Sequence, residues 1–165
     1  MNDATDMPRA EWPEALERLG AMPAFLESAL NAVSPDDLTS RLAEGEFSLI
    51  EQACHLRDLE REGYLVRVRR ILAEDVPALE GFDGAAVARE RDYLAQDARL
   101  AAHEFAAARA EVLGVLSAAS PADLAREATF DERRITLRDL VAMMEEHDRG
   151  HREEIVHLLE ALEDL

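Results

Sequence analysis

The chain has 165 residues, 48% apolar and 33% charged, a composition that fits one globular domain. Acidic residues outnumber basic residues 36 to 18, so the formal net charge is -18, and we expect neither nucleic acid nor an anionic membrane as a partner. All 18 basic residues are arginines, which excludes Schiff-base and pyridoxal phosphate chemistry on a lysine of this chain.

The cysteine content and the first residues indicate the compartment. Cys54 is the single cysteine, so the chain has no internal disulfide and no CxxC pair for zinc or redox chemistry. The N-terminal segment lacks the basic start and apolar run of a signal peptide, and no stretch approaches the roughly 20 apolar residues of a membrane span. We therefore expect a cytoplasmic protein with a single domain over residues 1–165, in which residues 1–10 form a flexible leader.

Helical periodicity predicts four long helices, and no alternating pattern of useful length predicts a strand. Their expected bounds are about Trp12–Leu30, Ser48–Leu72, Asp97–Ala119 and Thr136–Leu162. Pro23 is expected to end or kink the first half of helix one. The second connection is the longest, and Pro77, Gly81 and Gly84 mark it as a long loop.

Two sequence signals place helix starts. Ser48 with Glu51 and Thr136 with Asp139 have the spacing of a capping box, so they should open helices two and four. The apolar positions of helix two are expected at Leu49, Ala53, Leu56, Leu59, Val66 and Ile71. Four helices that each carry an apolar stripe are buried together most simply in an all-α four-helix bundle.

Helix four carries the most informative pattern. His147 and His151 fall on one narrow stripe with Leu140, Met144, Ile155, Leu158 and Leu162. Because residues four apart are neighbours on one helix face, two such imidazoles can bind one metal ion. Two histidines in an apolar stripe would otherwise leave four ring nitrogens to satisfy.

Three other histidines are candidates for a third ligand. His103 lies opposite the apolar face of helix three and is expected in solvent, and His157 lies off the helix-four stripe, at the surface or at a rim. His55 can face a neighbouring helix, with Asp58 and Glu62 on the same side. The alternative is that His55 lies at the boundary of the core and pairs with one of those carboxylates.

The segment Phe47-Ser48-Leu49-Ile50-Glu51-Gln52-Ala53-Cys54-His55-Leu56-Arg57-Asp58, followed far downstream by Glu146-His147-Asp148-Arg149-Gly150-His151, resembles the DinB-like superfamily. The resemblance covers nearly the whole chain. It implies a four-helix bundle with up-down-down-up topology, and one divalent metal ion held by His55, His147 and His151. It also implies a homodimer, and reactions of the kind catalysed by relatives that use a low-molecular-weight thiol, such as bacillithiol S-transferases.

Three function classes follow for a small-molecule substrate. A metal-dependent thiol transferase is favoured, because no residue beside the triad is an obvious general base. The alternatives are a metal-dependent hydrolase that uses metal-bound water, with Glu154 as its base, and a non-catalytic metal-binding or ligand-binding bundle. Zinc is the first expectation for the metal, with nickel or iron as alternatives, since imidazole binds all three.

The remaining candidates carry weaker expectations. Cys54 adjoins His55 in sequence, but consecutive helical residues diverge, so a core position is expected. A di-iron site would need Glu-x-x-His motifs on two helices, and the chain has one, at Glu154–His157. Two roles are open for four arginines: to bind an anionic substrate or cofactor, or to form ion pairs at the solvated surface. These arginines are Arg57, Arg133, Arg134 and Arg149. Two roles are also open for Leu65, Val68 and Leu72: they contact a second copy of the chain, or they pack under the loop that follows Leu72.

Overall fold

The computed structural model describes residues 11–164, so the leader expected at residues 1–10 lies outside the described residues. The α-helices are α1 (Trp12–Gly20), α2 (Met22–Ala32), α3 (Leu49–Asp58), α4 (Leu65–Ala73), α5 (Gly84–Glu90), α6 (Ala98–Ser117), α7 (Pro121–Leu124) and α8 (Leu137–Glu163). A π-helical turn, Leu59–Tyr64, joins α3 to α4, and short 3₁₀ turns span Pro35–Thr39 and Tyr93–Ala95. No helix within residues 11–164 is both long enough and apolar enough to cross a membrane.

Four long helical units form a bundle, as predicted. We number them bundle helix 1 (α1 and α2), bundle helix 2 (α3, the π turn and α4), bundle helix 3 (α6) and bundle helix 4 (α8). Bundle helices 1 and 2 each pack against bundle helices 3 and 4. The predicted break in bundle helix 1 lies at Ala21, and Pro23 occupies the first turn of α2, where its missing N–H has no helical partner to lose.

The composition of the core gives the direction of each helix. One buried cluster contains the start of bundle helix 1, the end of 2, the end of 3 and the start of 4, represented by Ala15, Ile71, Leu116 and Leu137. The other cluster contains the opposite ends, represented by Leu30, Leu49, Ala98 and Leu158. Bundle helices 1 and 4 therefore run one way and bundle helices 2 and 3 the other, which is the predicted up-down-down-up topology.

Both predicted capping boxes are formed. The Glu51 carboxylate accepts a hydrogen bond from the Ser48 backbone N–H at 2.8 Å, and the two residues open α3. Asp139 accepts from the Thr136 N–H at 2.8 Å, while the Thr136 hydroxyl accepts from the Asp139 N–H at 3.1 Å. Each box satisfies donors that a helix start leaves without partners.

The π turn corrects the predicted face of bundle helix 2. A π turn holds one more residue than an α turn, so it shifts the buried face of the residues that follow. Val66, predicted as an apolar core position, is 44% exposed, whereas Leu65 and Val68 are buried. Leu72 packs against the same core. Leu65 and Val68 are therefore core residues of one chain rather than dimer contacts, while Leu72 is partly buried against the same core.

A small sheet corrects the expectation that the chain contains no strands. Its strands are β1 (Ala78–Leu79), β2 (Glu127–Phe130) and β3 (Arg133–Thr136), with β2 central, parallel to β1 and antiparallel to β3. Asp131 and Glu132 join β2 to β3 with positive φ at both residues, which is the backbone of a type I′ hairpin turn. Strands this short give no alternating pattern that a sequence analysis can detect.

Candidate metal centre

The fold brings the three predicted histidines together. His55 comes from α3, and His147 and His151 lie one turn apart on α8. One ligand atom from each histidine lies within 4.8 Å of the other two. The ring centroids of His55 lie 5.6 Å from His147 and 4.9 Å from His151. The Nε2 atoms of His147 and His151 are 3.0 Å apart, so the two rings present the same edge to the centre of the cluster.

Gln52 and Glu154 fix the orientation of His151. The amide oxygen of Gln52 lies 2.6 Å from His151 Nδ1, and the amide nitrogen of Gln52 donates to the Glu154 carboxylate at 2.7 Å. Glu154 itself lies 3.3 Å from the same Nδ1. With two acceptors on its Nδ1 edge, neutral His151 carries its proton there. The Nε2 lone pair is then directed toward the cluster, where a metal ion would bind.

His55 occupies a tight, largely apolar place. Its ring lies 5.4 Å from the Phe47 ring and 6.1 Å from the Phe82 ring, and the side chain is buried. Its Nδ1 is the one buried side-chain polar atom of residues 11–164 without a hydrogen-bond partner. Gly84 closes the remaining side, since a Cβ at that position would lie 2.8 Å from Nδ1. A buried nitrogen without a partner is the kind of atom that a metal ion or a bound ligand satisfies.

Burial keeps the triad uncharged at neutral pH. It lowers the pKa of His55 to about 4 and the pKa of His147 to about 3, and the neighbouring histidines add to both shifts. Burial also lowers the pKa of His151, against the opposing effect of Glu154. A metal ion binds only the neutral form of imidazole. Three neutral imidazoles with converging nitrogens therefore fit one divalent transition-metal ion.

A buried ion network supports the triad from the core side. The Arg109 guanidinium, 1% exposed, binds the Glu60 carboxylate at 2.7 and 3.0 Å and the Asp148 carboxylate at 2.7 and 3.0 Å. It also donates to the backbone oxygen of Leu19 at 2.8 Å. All five N–H groups of the guanidinium therefore have acceptors. Since Glu60 lies in the π turn and Asp148 follows His147 directly, the network connects all four bundle helices beside the site.

A cavity of about 300 Å³ borders the triad on the side of His151. Phe47, Gln52, Ala85 and Glu154 line it, and His157 lies on its rim. Apolar walls with a few polar groups are typical of small-molecule sites. A larger cavity, of about 490 Å³, lies beside Arg41, Tyr93 and Phe47 and contains none of the three histidines. We therefore regard the smaller cavity as the approach to the candidate site.

The structure separates the other predicted candidates from the triad. His103 and His157 are exposed, as expected. Cys54 is fully buried, and burial raises the pKa of its thiol to about 11, so the core interpretation is confirmed. The solvated ion-pair interpretation holds for Arg134, paired with Glu127, and for Arg149, paired with Glu146.

Arg133 and Arg57 differ in their exposure. Arg133 is exposed in β3. Arg57 is buried rather than solvated, and it binds Asp58 and Gln96 at 2.8 and 2.9 Å. Its charge is therefore satisfied within the chain.

Sequence reasoning did not identify Gln52 or Arg109. Gln52 lies three residues before His55, so helical spacing alone places both on one face. Arg109 lies four residues after Phe105 and three before Val112, and both of those residues are in the core, so its burial could have been predicted.

Comparison with known proteins agrees with the fold. The solved structure of YfiT from Bacillus subtilis, described as a probable metal-dependent hydrolase with an unusual four-helix bundle topology, is similar with a TM-score of 0.89 and 18% sequence identity. The similarity covers 98% of this chain and 93% of that one. No curated protein matches the sequence. The DinB superfamily model matches residues 5–155, and the chain therefore belongs to the DinB superfamily.

Proposed function

We propose that His55, His147 and His151 hold one divalent metal ion, zinc in the first instance with nickel or iron as alternatives, and that the chain is a metal-dependent thiol transferase. A low-molecular-weight thiol would be the nucleophile and a small electrophile the acceptor. A metal ion held by three neutral imidazoles is a Lewis acid with open positions, and it lowers the pKa of a bound thiol.

The observation that carries this proposal is the place of the carboxylates around the triad. Glu154 lies on the Nδ1 edge of His151, opposite the edge that faces the cluster. Asp148 is bound at both oxygens by Arg109. Asp58 is bound by Arg57 and by the Tyr93 hydroxyl. Among residues 11–164, these carboxylates already have partners or face away, so none is placed as a general base for water.

A thiol needs no such base once its pKa is lowered. In the proposed reaction the sulfur loses its proton to solvent and forms a bond to carbon, while the leaving group departs with the electron pair of the bond that breaks. His55, His147 and His151 would hold the ion, and Gln52 would keep His151 in the correct tautomer. The cavity of about 300 Å³ would take the acceptor and exclude most water.

Hydrolysis is the second candidate, because YfiT is described as a probable metal-dependent hydrolase. Glu154 would then have to turn from Gln52 toward the cluster to act as a base. Its side chain is 60% exposed, which leaves it the freedom to turn. A non-catalytic metal-binding or ligand-binding bundle is the third candidate.

One experiment separates the three. The zinc-loaded protein is incubated with bacillithiol, mycothiol or glutathione and monochlorobimane, and in parallel with a panel of esters and amides. Thiol conjugation that His55→Ala abolishes supports the transferase. Ester or amide turnover that Glu154→Gln reduces by at least about 100-fold supports the hydrolase. No turnover in either assay, with metal still bound, supports the binding bundle.

We also propose that the chain acts in the cytoplasm on a small molecule, and as a homodimer. The net charge of -18 and the single buried cysteine support the first part. The homodimer rests on family resemblance. Light scattering at micromolar concentration should give twice the mass of one chain, and the mass of one chain would refute it.

A further inference from the structure

Three arginine side chains are buried in the described part of the chain, and they differ in how their charges are balanced. Arg57 and Arg109 each bind carboxylates directly. Arg67 is 6% exposed and binds no carboxylate of residues 11–164 within 4.0 Å. Its bonds go to a single acceptor, the backbone oxygen of Glu80, which lies 3.2 Å from Nε and 3.0 Å from Nη2. Its Nη1 has no acceptor in the described chain and keeps some contact with solvent, since His55 Nδ1 is the one fully enclosed side-chain polar atom there without a partner.

The surroundings of Arg67 hold its guanidinium without neutralising it. The Cζ atom lies 5.3 Å from the centroid of the Tyr64 ring and 4.8 Å from that of the Phe130 ring. Aromatic faces stabilise a guanidinium and leave its N–H edge available for other partners. The carboxylate that acts on it from a distance is Asp131, which is exposed in the hairpin turn. Desolvation lowers the pKa of Arg67, as expected for a buried cation that lacks a close anion.

Arg67 lies near the His147 side of the triad, behind the Tyr64 ring, and does not line the cavity of about 300 Å³ on the His151 side. The Tyr64 ring that it packs against lies 5.9 Å from the His147 ring, so one aromatic ring separates the guanidinium from the cluster. The loop that accepts its hydrogen bonds at Glu80 continues to Phe82 and Gly84, which both contact His55.

We propose that Arg67 recognises a carboxylate of the molecule that enters the triad site. A guanidinium has a planar fork of N–H groups that matches a carboxylate, and a desolvated cation in a chain of net charge -18 is a selective place for an anion. The ligand class is therefore a small carboxylate. This deepens the proposed function and rests on it, since the triad is taken as the reaction site. The carboxylate can belong to the thiol or to the acceptor.

A purely structural role is the alternative. Arg70 also connects α4 to this region of the chain, since it donates a hydrogen bond to the backbone oxygen of Ala78 in β1 at 2.8 Å. However, Arg70 is partly exposed and bound by Glu74. Arg70→Gln is therefore the matched control, because it removes an arginine bond to the same strand region without removing a buried, unpaired charge.

The test is equilibrium binding by calorimetry to the full chain, both metal-free and zinc-loaded. Binding to the metal-free chain needs no transferase activity, so its outcome is independent of the proposed reaction. Succinate against succinamide represents an acceptor carboxylate, and glutathione against its diethyl ester represents a thiol carboxylate. For at least one pair, the wild type should prefer the carboxylate form, and Arg67→Gln should weaken its binding about tenfold. Arg70→Gln should leave that affinity unchanged, with zinc content equal in all variants.

The proposal is overturned if neither pair shows a preference for the carboxylate, or if the preference survives Arg67→Gln. Should Arg67→Gln fail to fold by circular dichroism, Arg67→Lys decides the matter, because it keeps the charge and loses the fork. We expect at least about a threefold loss of affinity in that variant. Affinity equal to the wild type would again overturn the proposal.

Discussion

Gln52 and His151 belong to different bundle helices, and the amide oxygen of Gln52 lies 2.6 Å from His151 Nδ1. The contact orients one ring of the triad and, through Gln52, connects it to Glu154. A partner of this kind typically contributes 10- to 100-fold to metal affinity.

The first prediction concerns this contact. Gln52→Leu should weaken zinc binding by about 10- to 100-fold, because His151 loses the closer of its two Nδ1 acceptors and Glu154 loses the amide that positions it. Competition with a coloured chelator measures the affinity. Glu154→Gln is the control, since it keeps an oxygen acceptor for Gln52 and should change affinity by no more than a few fold. Equal affinities for Gln52→Leu and the wild type would remove Gln52 from the site.

The second prediction concerns Gly84. Gly84→Ala should reduce zinc affinity, because the added Cβ would lie 2.7 Å from His55 Cε1 and would force the ring to move. Gly81→Ala is the matched control in the same loop, since a Cβ there meets no atom within 4 Å. Zinc titration of both variants checks the expectation. Equal affinities for the two would show that the His55 ring is not held by this loop.

The third prediction concerns the buried network. Arg109→Met should lower the free energy of unfolding by about 3–5 kcal/mol, because it leaves Glu60 and Asp148 buried without a cation. Arg134→Met removes an exposed ion pair with Glu127 and should cost no more than about 1 kcal/mol. Urea unfolding of the two variants gives the comparison. Costs of similar size would mean that the buried network does not stabilise the fold more than a surface pair does.

The fourth prediction concerns pH and the metal-free protein. Folding lowers the pKa of His55 to about 4 and that of His147 to about 3, below the value of about 6.5 in an unfolded chain. Above about pH 6.5 both histidines are neutral in the folded and in the unfolded chain, so they add nothing to the pH dependence of stability. As the pH falls from about 6.5 toward 4, the unfolded chain takes up protons that the folded chain excludes, so stability falls.

Urea unfolding between about pH 4.5 and pH 7 measures the slope of the free energy of unfolding against pH. His55→Gln should reduce it, whereas His103→Gln, at an exposed position, should leave it unchanged. A slope that His55→Gln does not alter would show that His55 is not desolvated in solution.

The bundle and the histidine pair of α8 were predictable because they depend on periodicity. Apolar spacing placed four helices, two capping boxes fixed the starts of α3 and α8, and the four-residue separation of His147 and His151 put both on one face. His55 came from family resemblance rather than from spacing. The fold confirms that the three side chains meet.

The rest depends on departures from regular structure. The π turn moves Val66 outward and Arg67 inward, and no sequence pattern marks a π turn in advance. The strands of two to four residues are formed by pairing across the chain rather than by local preference. Local periodicity therefore predicts neither the burial of Arg67 nor the strand that contains Phe130.

The most direct test of the account is the metal content of the protein, purified without a histidine tag. Elemental analysis should give about one divalent metal ion per chain for the wild type. It should give none for His147→Ala combined with His151→Ala, in a variant that circular dichroism shows to be folded. Equal metal content in the wild type and in that double variant would contradict the assignment of the histidine triad as the metal centre.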